Sequence, residues 1–209
     1  MRGEEVLPGL WRFAVDHPDW EPGQDWEREV AWHLVATGDG AVAIDPLLED
    51  GDEAALDTLV EAVGGCAGVV RTVFWHERST GPVAERYGAP LWALGGEPRA
   101  APFDREIASG APVAGGLVGY AAGRGDEAVV WCPEQRALIA GDVLLRDADG
   151  ALRRCPDSWL NPRHGPQAVV AALRPVRALP VEHVLVSHGP PRLGDGAAAL
   201  AAALDAPAG

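Results

Sequence analysis

Short apolar runs broken by Gly, Pro and Asp alternate along the chain with segments of helical spacing. Residues 6–13 and 29–36 read as strands, with a turn-rich loop over 16–25 between them. Gly38-Asp39-Gly40 is a strong turn signal and residues 41–44 form a short buried strand, so the opening is a β-meander ending at Asp45-Pro46. Residues 52–63 place Leu56, Leu59, Val60 and Val63 on one helical face, and Gly64-Gly65 ends that helix. A buried strand over 69–76 leads to a helix over 79–87, capped by Ser79 or Thr80 and closed by Gly88. With a strand over 89–94, the first half has the order β-β-β-α-β-α-β.

The second half is less regular. Residues 95–116 read as a surface loop holding one short strand, and residues 118–123 as a strand. Residues 127–132 and 137–140 flank a hairpin turn at Pro133-Glu134-Gln135-Arg136, while 143–151 are irregular and 155–161 a loop. A helix over 167–173, a buried strand over 184–187 and an Ala-rich helix over 196–204 follow. Two passes of meander strands followed by helices predict an α/β fold of two sheet layers flanked by helices, in one domain spanning 1–209.

Composition narrows the function. The 17 basic residues face 31 acidic ones, for a formal charge of −14, so the basic footprint of a nucleic-acid binder is missing and anionic membranes are disfavoured. Every basic residue is Arg, which excludes Schiff-base chemistry and a P-loop lysine. Cys66, Cys132 and Cys155 are widely spaced and indicate neither a zinc knuckle nor a disulfide framework. The acidic first residues lack the apolar stretch of a secretion signal, and no apolar run reaches membrane-spanning length; a cytoplasmic protein of open oligomeric state is expected.

Candidate chemistry gathers at strand ends, where open α/β folds bind ligands. His76, Asp142 and His188 each stand at or just after an apolar run, and Asp45 ends residues 41–44 in the same way. Any one of them alone is more simply a capping or packing residue. Together, two imidazoles and a carboxylate are a candidate mononuclear metal set. His17, His33, His164 and His183 have no partners suggested by spacing. Trp11, Trp20, Trp26 and Trp32 crowd the opening as core or lid aromatics, with a ligand-gripping role for Trp20 or Trp26 as the minor alternative.

The order Asp45-Pro46, His76-x-x-Ser79, Gly141-Asp142 and Ser187-His188-Gly189 resembles the metallo-β-lactamase fold superfamily over nearly the whole chain. The resemblance implies a four-layer αββα sandwich. It places the family's H-x-H-x-D-H motif on Phe74, His76, Arg78 and Ser79, and its third histidine on Gly123, so only His76 is kept there. Asp142 matches the family's bridging aspartate and His188 its last metal histidine. Arg78 puts a fixed positive charge where a carboxylate would hold a second ion, and is expected to fill that volume and pair with Asp142. Arg124 and Asp126 are expected at the mouth of the same cleft.

Two functions compete. One is a metal-free or weakly metal-binding small-molecule-binding protein, with Arg78, Ser79, Asp45, Arg124 and Asp126 around an anion-recognising pocket and no cofactor. The other is a hydrolase of an ester, thioester or related carbonyl compound. There His76, Asp142 and His188 would hold one divalent zinc or iron ion, with Asp142 and His76 as catalytic residues. A structural role for the tryptophan-rich opening is a third reading.

Overall fold

The structure is a computed structural model, which describes residues 3–95, 102–125, 127–146, 149–160 and 165–206. The first half contains β1 (Gly3–Leu7), β2 (Leu10–Asp16), β3 (Glu29–Thr37), β4 (Gly40–Ile44), α1 (Glu53–Ala62), β5 (Cys66–Arg71), α2 (Thr80–Tyr87), β6 (Leu91–Ala93) and β7 (Arg105–Glu106). The second contains β8 (Ala111–Pro112), β9 (Val118–Ala121), β10 (Ala128–Cys132), β11 (Ala137–Ala140), β12 (Leu144–Arg146), β13 (Leu152–Arg154), α3 (Pro166–Ala172), α4 (Arg174–Arg177), β14 (His183–Val186), β15 (Arg192–Leu193) and α5 (Gly196–Asp205). Strands β1 to β7 form one sheet in sequence order, and a second runs β15-β14-β11-β10-β9-β8.

Period-two alternation builds the layers. On β4, Val42 and Ile44 face the space between the sheets while Ala41 and Ala43 face the helices. On β11, Ala137 and Ile139 point inward while Leu138 and Ala140 point outward. Val70, Val130, Cys132 and Leu185 complete the central layer. Leu56 of α1 and Val83 of α2 cover the outer face of the first sheet over Trp32 and Leu34. Val169 of α3, Val176 of α4 and Leu200 of α5 cover the other over Val129, Trp131 and Val184. The result is the four-layer αββα sandwich.

Three local expectations change. Residues 6–13 are not one strand: the chain reverses at Pro8-Gly9, where proline has no N–H for the ladder, and Leu7 pairs with Leu10. The strand expected over 69–76 stops at Arg71, because the Thr72 N–H turns to the Asp45 carboxylate. Residues 143–151 are not wholly irregular, since β12 pairs with β13.

Candidate functional site

The carboxyl ends of β4, β5, β11 and β14 meet at one edge of the sandwich. Asp45, immediately after β4, accepts the Thr72 backbone N–H at 2.7 Å and the Thr72 hydroxyl, and its Oδ2 lies 2.9 Å from His76 Nδ1. A carboxylate can only accept, so Nδ1 carries the proton and Nε2 of a neutral ring is the acceptor. Arg78 Nη2 lies 3.0 Å from that Nε2, and its Nη1 reaches the Asp45 carbonyl at 3.5 Å. Asp45 and Arg78 have φ of 52° and 38°. Such conformations cost a non-glycine residue about 1–3 kcal/mol, and this network holds them.

The facing wall comes from the second sheet. Asp142 Oδ2 accepts the Trp75 indole N–H at 2.6 Å, while Oδ1 is buried without a hydrogen bond, 3.3 Å from both His76 Nε2 and His188 Nε2. Glu127, fully buried, accepts the N–H groups of Asp142 and Val143 at 2.6 and 2.7 Å through Oε1. Its Oε2 takes Arg124 Nη1 at 2.9 Å. Gly141 allows this approach, since a Cβ there would come 2.4 Å from Thr72 Oγ1.

Electrostatics follow from these contacts. Burial alone would raise the Asp142 carboxyl, but His76 and His188 outweigh it and hold the group well below its ordinary range. Asp45 is likewise lowered, with His76 and Arg78 overcoming burial. At His76, burial and Arg78 push downward while Asp142 and Asp45 push upward and prevail. Its Nε2 therefore carries a proton toward Asp142 in acid and accepts from Arg78 once neutral.

Between the walls lies a cavity of about 460 Å³, lined in part by Trp26, Trp75, Trp159, His76, Asp142 and His188. The structure thus brings His76, Asp142, His188, Arg78 and Arg124 together. Asp45 sits behind His76, and Ser79 faces away, its hydroxyl accepting the Leu48 N–H at 3.0 Å. Asp126 lies outside the described residues. The expected Arg78–Asp142 pair is absent among the described residues, because the turn after β5 aims the guanidinium at His76 Nε2 and the Asp45 carbonyl. Arg124 is also committed, to Glu127, to the Trp159 carbonyl at 2.8 Å and to the Trp75 ring at 4.7 Å. Arg78 Nε and Arg124 Nε, both buried, are left without a hydrogen-bond partner.

Sequence reasoning passed over His17, Trp75, Trp159, Asp25 and Glu127. His17 lies 5.2 Å from Trp26, and the Trp159 indole donates to Asp25 at 2.8 Å, tying two loops across the cavity. The one available signal was tryptophan in turn-rich segments, where no core stripe claims it.

A metal centre can be tested against these residues. Phe74, Arg78 and Ser79 add no donors for a second ion, and Gly123 has φ +82° with a virtual Cβ 2.4 Å from the Ala168 carbonyl oxygen, so a side chain does not fit there. For one tetrahedral ion, donors stand about 3.4 Å apart; the two 3.3 Å separations around Asp142 Oδ1 meet that spacing, but Arg78 contends for His76 Nε2. Among the described residues no His, Cys, Asp and Glu group is assembled as a ready metal site, and no helix is long and apolar enough to cross a membrane.

No protein-family model matches the chain, nor does any curated protein. Solved structures do. A metallo-β-lactamase from Pontibacter korlensis is 19% identical, with a TM-score of 0.69 and 99% of each chain covered. The DIM-1 metallo-β-lactamase is 16% identical with a TM-score of 0.69, over 97% of this chain and 92% of its own. The FIM-1 enzyme of Pseudomonas aeruginosa, in its mono-zinc form, is 16% identical with a TM-score of 0.66, over 92% and 89%. Two packed sheets and their flanking helices thus agree with these likenesses: the chain has the metallo-β-lactamase fold.

Proposed function

We propose that this chain is a small-molecule-binding protein that works without a bound metal or with only weak metal binding. One observation carries the reading: Arg78 Nη2 stands 3.0 Å from His76 Nε2 and donates to the lone pair a first metal ion would need. A guanidinium stays protonated throughout the physiological range, so it competes with any cation at every working pH. The neighbouring Phe74 and Gly123 supply no donor to offset that loss.

A second reading keeps one ion on His76, Asp142 and His188 and makes the protein a hydrolase of an ester, thioester or related carbonyl compound. It is favoured by the two 3.3 Å separations at Asp142 Oδ1, and the similar FIM-1 structure is a mono-zinc form. The ion would polarise a carbonyl, with Asp142 and His76 placed to accept protons.

Metal analysis of the purified native protein separates the two. The expected result is zinc and iron well below one equivalent, with Arg78→Asp binding zinc at least about tenfold more tightly in calorimetric titration. Near-stoichiometric metal in the native protein, lost on His76→Ala, would overturn the metal-free reading.

A further inference from the structure

Three indoles enclose the cavity from separate parts of the chain. Trp26 and Trp159 flank the His188 ring, with centroids 5.6 and 5.7 Å away, and Trp75 closes the third side beside His76 at 6.5 Å. Aromatic walls of this kind hold weakly hydrated organic cations through the negative faces of the rings. The cavity already contains such a contact, with the Arg124 guanidinium 4.7 Å from the Trp75 ring.

Charge points the same way. Asp19 and Asp25 stand at the mouth, and Asp142 lines the interior with Asp45 behind it. Arg78 and Arg124 oppose them, but both are engaged by protein groups, and Arg124 is only 3% exposed. The chain as a whole carries −14, which draws cations toward it. An anion entering this cavity would meet several carboxylates, and the guanidinium atoms left unpaired, Arg78 Nε and Arg124 Nε, are buried.

The decisive group is Asp142. Asp142 lines the cavity; its Oδ2 takes the Trp75 indole N–H, while its buried Oδ1 lies 3.3 Å from the Nε2 atoms of His76 and His188 without a well-aligned hydrogen bond. A buried carboxylate short of well-aligned donors attracts a cationic donor. A protonated amine has that donor and the charge together.

We infer that the cavity binds a small organic amine in its protonated form, the ammonium drawn to the Asp142 carboxylate and the organic body held among Trp26, Trp75 and Trp159. This rests on the metal-free reading, since an ion at Asp142 Oδ1 would take the same place. A cavity of about 460 Å³ suits a ligand with one ring or a short branched chain.

Benzylammonium is the probe, with benzoate and benzyl alcohol as its anionic and neutral counterparts, all titrated into the native full-length protein by calorimetry and tryptophan fluorescence. Benzylammonium is expected to bind saturably with a Kd of about 1 mM or tighter, and at least tenfold better than either counterpart. Trp159→Ala is expected to weaken it at least tenfold, while Trp159→Phe, which keeps an aromatic ring, stays within about threefold. Benzoate or benzyl alcohol binding as well as benzylammonium would overturn the inference, as would a Trp159→Ala protein that folds and binds normally. Metal content of the same sample separates the two failures. Stoichiometric metal sinks the metal-free reading, whereas metal-free protein that ignores benzylammonium sinks this inference alone.

Discussion

The two walls of the cavity are built by opposite rules. On the first, Asp45, Thr72 and His76 satisfy one another and Arg78 joins them through its Nη atoms, leaving only its buried Nε without a partner, and the unusual backbone angles at Asp45 and Arg78 serve that internal network. On the second, the backbone around Asp142 is gripped by Glu127, yet Asp142 Oδ1 and His188 Nδ1 are left without hydrogen bonds. The second wall is held firmly in its backbone while these buried atoms lack aligned partners.

That rigidity can be broken most severely at Glu127. Replacing it with Leu strips two backbone N–H groups of their acceptor and leaves the Arg124 guanidinium buried without its counter-ion. Removing one partner of a buried pair costs about 3–5 kcal/mol. Urea denaturation of Glu127→Leu should show a loss of that size. A loss below about 1 kcal/mol, the usual surface range, would mean Glu127 does not organise the second wall.

How much of this was readable in the sequence differs between the walls and the frame. The short apolar runs of β10 and β11 and the turn at residues 133–136 were legible because buried runs and turn chemistry are local signals. Asp142 and His188 were found because each follows an apolar strand. The partner of Arg78 was not: the turn after β5 places its guanidinium on His76, two residues away, and no periodicity describes such a turn. Trp75, Trp159 and Glu127 escaped for a related reason. They act from loops and an isolated bridge opposite Val73, where side-chain direction is set by tertiary contact.

The first wall has a pH weakness of its own. His33 on β3 pairs with Ile44, the residue before Asp45, and is buried. Burial, reinforced by the Arg12 charge, lowers it from 6.5 to about 3. The unfolded chain therefore takes up a proton first as pH falls. Stability held in full above pH 6.5 is lost progressively down to about pH 3, with about 2 kcal/mol gone by pH 5. Denaturant unfolding at pH 7.5 and pH 5 should show the native protein losing about 2 kcal/mol more than His33→Gln. Equal losses in both would place the acid sensitivity elsewhere.

The smallest effect is the finest test of whether the walls are separate. Thr72 is fully buried and its hydroxyl donates to Asp45 Oδ2, which also meets His76. Thr72→Val keeps the shape, keeps the backbone N–H bond to Oδ1 and removes one hydrogen bond from a carboxylate that retains others. The expected cost is about 1 kcal/mol, read from the denaturation midpoint at constant slope. Because Thr72 is not among the groups that line the cavity, benzylammonium binding should be unchanged in the same variant. A stability loss matching that of Glu127→Leu, or a parallel loss of binding, would instead make the two walls one cooperative unit, with Asp45 as much a part of the binding surface as Asp142.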